Sequence, residues 1–98
     1  MNAPRCSLLL VDDDPQVRAM LSMLLQGEFD VRAAPSAEEA RELLARQPAD
    51  VVLADQQMPG MTGVQLLEWV RESCPGAVRL LMTGYTALEN AVEAINRG

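Results

Sequence analysis

Two apolar runs in this chain end in aspartate and a third ends in threonine. Leu8-Leu9-Leu10-Val11 leads into Asp12-Asp13-Asp14, Val51-Val52-Leu53-Ala54 into Asp55, and Val78-Arg79-Leu80-Leu81-Met82 into Thr83-Gly84. Such runs read as strands buried on both faces of a parallel sheet. Ligands of those sheets bind beyond the carboxyl ends of the strands, so carboxylates and a hydroxyl would point into one crevice. All-oxygen donors of this kind suit Mg2+, which takes one or two carboxylates together with phosphate oxygens. Two unit charges about 4 Å apart repel by roughly 4 kcal/mol at an effective dielectric near 20. Converging carboxylates therefore need a cation or a retained proton. One of them could then act as a nucleophile and form an acyl phosphate. Thr83 and the backbone amides of residues 57–60 and around Gly84 would supply donors to phosphoryl oxygens.

Each piece alone has a plainer reading. Asp14 before Pro15 is a helix cap, a single Asp such as Asp55 is commonly a turn residue, and Thr83 says least of all. Their shared position at strand ends is what points to a site.

The elements that must position these residues alternate along the whole chain, which argues for an α/β fold. Asp14-Pro15 opens a first helix, carried by Val17, Met20, Leu21, Leu24 and Leu25 and stopped at Gly27. Residues 30–34 form a second strand. Ser36 and Glu39 match a capping box, followed by Ala37, Ala40, Leu43 and Leu44 on one face and Pro48 beyond the end. Residues 51–54 form the third strand and residues 56–63 a turn-rich loop. Val64, Leu67 and Val70 begin a third helix that ends at Cys74-Pro75-Gly76. Residues 77–82 form the fourth strand. Thr86 and Glu89 form another capping box before Leu88, Ala91, Val92 and Ile95, and Gly98 stands as that helix's cap. Met20, Met23 and Met82 read as core filling, Glu38, Glu39 and Glu42 as a solvated face, and Trp69 as a packing residue.

Bulk composition narrows the function classes. The 98 residues, 49% apolar with three aromatics, fit one small domain. No apolar stretch approaches the roughly 20 residues of a membrane span, and the start lacks a signal-peptide pattern. The net charge is −6, with scattered arginines and neither lysine nor histidine. That balance disfavours direct contact with nucleic acid. Cys6 and Cys74 lack metal-ligand spacing and read as reduced thiols of a cytoplasmic protein. Walker-type and Rossmann glycine fingerprints are absent.

The segments Leu10-Val11-Asp12-Asp13-Asp14-Pro15, Asp55-Gln56-Gln57-Met58-Pro59-Gly60-Met61-Thr62-Gly63 and Leu81-Met82-Thr83-Gly84-Tyr85 resemble, in order and spacing, those of a response-regulator receiver domain. This is the phosphoacceptor module of two-component signalling. The resemblance implies a flavodoxin-like, doubly wound parallel sheet with helices on both faces, in strand order 2-1-3-4 here and 2-1-3-4-5 in the family. It implies Asp55 as the phosphorylation site, with Mg2+ held by Asp12, Asp13, Asp55 and the backbone carbonyl of Gln57. Thr83 would contact the phosphoryl group and reorient on its arrival, while Tyr85 and Gln57 would tune the lifetime of the acyl phosphate. A sensor histidine kinase or phosphotransfer protein would be the donor, and an output domain or protein partner the recipient of the signal. Such a domain phosphorylates and dephosphorylates only itself, so it is not an enzyme in the usual sense.

Family members continue with a fifth strand ending in lysine and a fifth helix, which these residues lack. Residues 1–98 are therefore expected to be a receiver domain incomplete at its C-terminal end. Its fourth strand would be an exposed apolar edge, which a homodimer formed by strand exchange would hide. A phosphorylation-independent, receiver-like interaction module is the alternative function. A haloacid-dehalogenase-type phosphohydrolase is a weaker one, because only Asp12 and Asp14 fit it and Gln16 departs from its pattern.

Overall fold

The computed structural model describes residues 5–82, with the elements β1 (Cys6–Val11), α1 (Pro15–Leu25), β2 (Phe29–Ala34), α2 (Ala37–Arg46), β3 (Val51–Asp55), α3 (Gly63–Ser73) and β4 (Val78–Met82). The four strands form one sheet in the order β2-β1-β3-β4, and every pair is parallel. The α/β class and the 2-1-3-4 order are thus as expected. Strand bounds differ from the expected ones by one or two residues. Thr83, Tyr85 and the segment expected to form the fourth helix lie outside the described residues.

The apolar runs are continuous because side chains alternate between two covered faces. Leu9, Val11, Val52 and Ala54 pack with Ala37, Ala40 and Leu44 of α2 and Leu66 and Val70 of α3. Leu8 and Leu10 turn the other way, against Leu21 of α1 and half-buried Val17, Met20, Val51, Leu53 and Met82. Local signals set the helix ends. The Asp14 side chain accepts from the Gln16 N–H at 2.9 Å, with Pro15 as the first helical residue. The Ser36 hydroxyl accepts from the Glu39 N–H at 3.2 Å, which is one half of the expected box. The complete, reciprocal box belongs instead to Thr62 and Gln65 at the start of α3. Arg32 on β2 closes the far end of α2 by donating to the carbonyls of Gln47 and Pro48 at 3.1 and 3.2 Å.

Three apolar residues depart from their expected burial. Met23 and Leu24 of α1 are each 70% exposed, and Val64 of α3 is 41% exposed. Among the described residues α1 alone covers its face of the sheet, and it lies over β1 and β2. Met23 and Leu24 therefore meet no second helix among the described residues. On α3 the sheet-facing stripe runs through Gly63, Leu66 and Val70, so Val70 is buried and Leu67 half-buried while Val64 turns outward. Among the described residues β4 is the last strand of the sheet, and its Val78, Leu80 and Leu81 are exposed. Trp69 is half-buried against the core, with the Arg41 guanidinium 5.0 Å from its ring centroid. Cys6 and Cys74 are free thiols. No described helix is long and apolar enough to cross a membrane.

Candidate functional site

Two adjacent strand ends build the site. β1 stops at Val11, but the Asp12 N–H still donates to the Ala34 carbonyl at 3.1 Å, carrying the ladder one residue further. Asp12 is 4% exposed, the one charged side chain buried among the described residues. Its Oδ1 accepts from the Asp14 N–H at 2.9 Å, an Asx turn that bends the chain into α1. Arg18, one turn into that helix, donates to the Asp12 carbonyl at 2.8 Å. Asp13 beside it is exposed.

Asp55 is the last residue of β3 and sits in register with Met82 of β4. Its Oδ1 accepts a long 3.4 Å hydrogen bond from the Gln57 N–H. Gln56 ties the following loop in three ways. Its N–H donates to the Met82 carbonyl at 2.8 Å, its carbonyl accepts from Gly63 at 3.2 Å, and its Oε1 accepts from the Val64 N–H at 2.9 Å. Met58 is buried in the α2–α3 core and anchors the middle of the loop.

One carboxylate oxygen from each of Asp12, Asp13 and Asp55 lies within 4.8 Å of the others. Of the residues singled out from sequence, these three are brought together. Gln57 follows Asp55 at the rim and is exposed. The crowding has an electrostatic signature. Burial pushes the Asp12 carboxyl above its usual 3.8, helped by the charges of Asp55, Asp13 and Asp14 and opposed by the Asp14 N–H. Burial likewise raises Asp55, with the Asp13 charge adding to it and the Gln57 and Gln56 N–H groups opposing.

The donor set fits a hard divalent cation. Octahedral Mg2+ with bonds of 2.0–2.1 Å places its ligand oxygens about 2.9 to 4.2 Å apart. The observed span of up to 4.8 Å needs only a small closure of the side chains.

A pH dependence follows. Because folded Asp12 and Asp55 hold protons more tightly than the unfolded chain, the folded state binds more protons in the window above 3.8. Stability from these two groups is therefore present at low pH and lost as pH rises through their raised values. Thermal melts of the metal-free protein should show this loss relative to an Asp12→Asn, Asp55→Asn double variant. Mg2+ should reverse it at pH 7, by about 2.7 kcal/mol at a hundredfold excess over its dissociation constant, and should have no effect below pH 4.

The pattern of a response regulator receiver domain matches residues 8–98. The chain belongs to that family. It is a receiver domain of two-component response regulators, with the acidic pocket of Asp12, Asp13 and Asp55 in place. It is 44% identical over 96 residues to the hydrogenase transcriptional regulatory protein HoxA of Cupriavidus necator, covering 98% of this chain and 20% of that one. It is 46% identical over 92 residues to the response regulator protein FleR of Pseudomonas aeruginosa, covering 93% of this chain and 20% of that one. The receiver domain thus spans about a fifth of the length of these curated relatives. Among solved structures, the signal receiver domain of an HD domain-containing protein from Pseudomonas fluorescens superposes with a TM-score of 0.79 at 31% identity, covering 98% of this chain and 71% of that one.

Sequence reasoning passed over four residues that shape the site. Thr62 and Gln65 carry a readable T-x-x-Q signal. Gln56 and Arg18 carry none, since nothing in their spacing announces a side chain folded back onto a neighbouring backbone.

Proposed function

We propose that this receiver domain is a phosphoacceptor switch, with Asp55 receiving a phosphoryl group from the phosphohistidine of a sensor histidine kinase or phosphotransfer protein. An Asp55 carboxylate oxygen forms the new bond to phosphorus as the phosphorus–nitrogen bond of the donor breaks. The donor imidazole keeps the electron pair, and the product is an acyl phosphate. Asp12, Asp13, Asp55 and the Gln57 carbonyl are the residues that would hold Mg2+. A bound Mg2+ supplies positive charge that offsets both the carboxylates and the phosphoryl oxygens. The buried Asp12 fixes the floor of the site through its Asx turn, while exposed Asp13 stands at its rim. Thr83 follows directly on β4, the neighbour of Asp55 in the sheet, and its proposed role is to bind a phosphoryl oxygen.

The observation that carries this reading is the convergence of the three carboxylates at the ends of β1 and β3, in a chain of this family. Relatives named as transcriptional regulators support an output that acts on transcription, through a further domain or a protein partner. The domain turns over no separate product, so its chemistry is that of a switch. Intact mass measured on the full-length protein tests the reading. With Mg2+ and a small acyl phosphate donor the protein should gain the mass of one phosphoryl group, and a chelator should prevent the gain. An unchanged mass in the presence of both reagents would overturn it.

A further inference from the structure

Glu38 is exposed, in keeping with a solvated face, and it also reaches across to the loop after Asp55. It lies in the first turn of α2, and its Oε1 accepts a hydrogen bond from the Met61 N–H at 3.3 Å, 23 residues away. Among the described residues it is the only side chain that hydrogen-bonds the backbone of residues 58–61. Gly60 shows how closely the loop is drawn in. Its φ of +79° is one that only glycine adopts readily, and a Cβ there would stand 3.0 Å from Glu38 Oε1.

The rest of the loop is fixed from other directions. Gln56 is pinned to β4 and α3, Met58 is buried, and Thr62 is locked by its capping box with Gln65. At the Pro59–Met61 tip the Met61 side chain is half-buried against the same core, and Glu38 adds the hydrogen bond to its backbone from a separate element.

We infer that Glu38 is a positioning residue for the phosphoacceptor loop: by holding the Met61 N–H, it keeps the Gln57 backbone beside Asp55. This rests on the proposed role of the Gln57 carbonyl as a metal ligand. The competing role is a local one, since an acidic side chain in the first turn favours the helix through its charge alone. The two roles sort variants in opposite ways. Glu38→Gln keeps an acceptor oxygen at full reach but loses the charge. Glu38→Asp keeps the charge but is one methylene too short for Met61.

The test is the Mg2+ concentration giving half-maximal phosphorylation of the full-length protein by a small acyl phosphate, with Mg2+ affinity measured in parallel by calorimetry. Groups that orient metal ligands commonly change affinity by 10- to 100-fold when removed, and a loop tether one step further out should cost about five- to tenfold. Glu38→Asp and Glu38→Ala should both raise the half-maximal Mg2+ concentration by that factor, with much of the rate recovered at saturating Mg2+. Glu38→Gln should stay within about twofold of the parent. The inference is overturned if Glu38→Asp matches the parent, or if Glu38→Gln and Glu38→Ala behave alike. It is also overturned if the variants lower only the melting temperature. A parent protein that binds Mg2+ but takes up no phosphoryl group would defeat the phosphoacceptor reading instead, and the calorimetric affinities would still decide the role of Glu38.

Discussion

Asp55→Asn is expected to abolish phosphoryl uptake and, in the same molecule, to make the metal-free fold more stable at neutral pH. The first effect follows because a neutral amide oxygen is a far weaker nucleophile than a carboxylate and cannot yield the acyl phosphate. The second follows from the crowding at the strand ends. Burial and the Asp13 charge both disfavour the ionised form of Asp55, and the neutral amide escapes both. For two unit charges 4.8 Å apart, the farthest separation in the cluster, the repulsion is between about 1 and 3.5 kcal/mol as the effective dielectric falls from 80 to 20. Solvent at the half-buried Asp55 favours the lower figure. Each kcal/mol corresponds to about 4–8 °C in a domain of this size, so a thermal melt would register the gain. As pH falls through the raised value of Asp55 its carboxyl takes up a proton and the advantage should disappear. Intact mass spectrometry reads the loss of function directly. A variant that is still phosphorylated to the parent's extent would remove Asp55 from the mechanism.

Gly63→Ala should be the most damaging of the single-methyl additions. Gly63 is the first residue of α3, its φ is not positive, and alanine is the better helix former by about 1 kcal/mol. Local propensity therefore predicts stabilisation. Packing predicts the reverse. A Cβ at this position would press on the Asp55 carbonyl oxygen, lie 2.8 Å from its carbonyl carbon and stand 2.9 Å from Leu81 Cδ1. Two of those three neighbours are backbone and cannot swing away. The α3 end must then retreat from β3, straining the hydrogen bond from the Gly63 N–H to the Gln56 carbonyl. A loss of about 3 kcal/mol, at the upper end of overpacking costs, is expected, with slower phosphorylation because the Asp55 backbone shifts. Gly27→Ala serves as the control, since nothing lies within 4 Å of its added methyl, and it should be neutral or slightly stabilising. Equal melting temperatures for the two variants would contradict this account of the α3–β3 contact.

The contrast between these glycines shows what the sequence made legible. Apolar runs ending in Asp12 and Asp55 revealed both the buried strands and the acidic cluster at their ends, because a parallel sheet converts strand order directly into proximity at the carboxyl ends. Asp14-Pro15 likewise announced the start of α1, its capping chemistry being local. Periodicity told less about burial. It identified an apolar face on α1, but whether Met23 and Leu24 on that helix are covered depends on which neighbours lie over them. Val64 misled for a related reason. It belongs to the helix by spacing, while glycine at the preceding position takes the closest approach to β3. Glu38 and Arg18 act through long-range or folded-back hydrogen bonds to backbone, and such bonds leave no pattern in residue order.

Where the phosphoryl group resides tests the central claim most directly. The full-length protein, phosphorylated in the presence of Mg2+ and reduced with borohydride, would carry homoserine wherever an aspartyl phosphate had formed. Peptide mapping should place that homoserine at position 55 and at none of Asp12, Asp13 or Asp14. Homoserine at one of those three residues, with position 55 intact, would contradict the account.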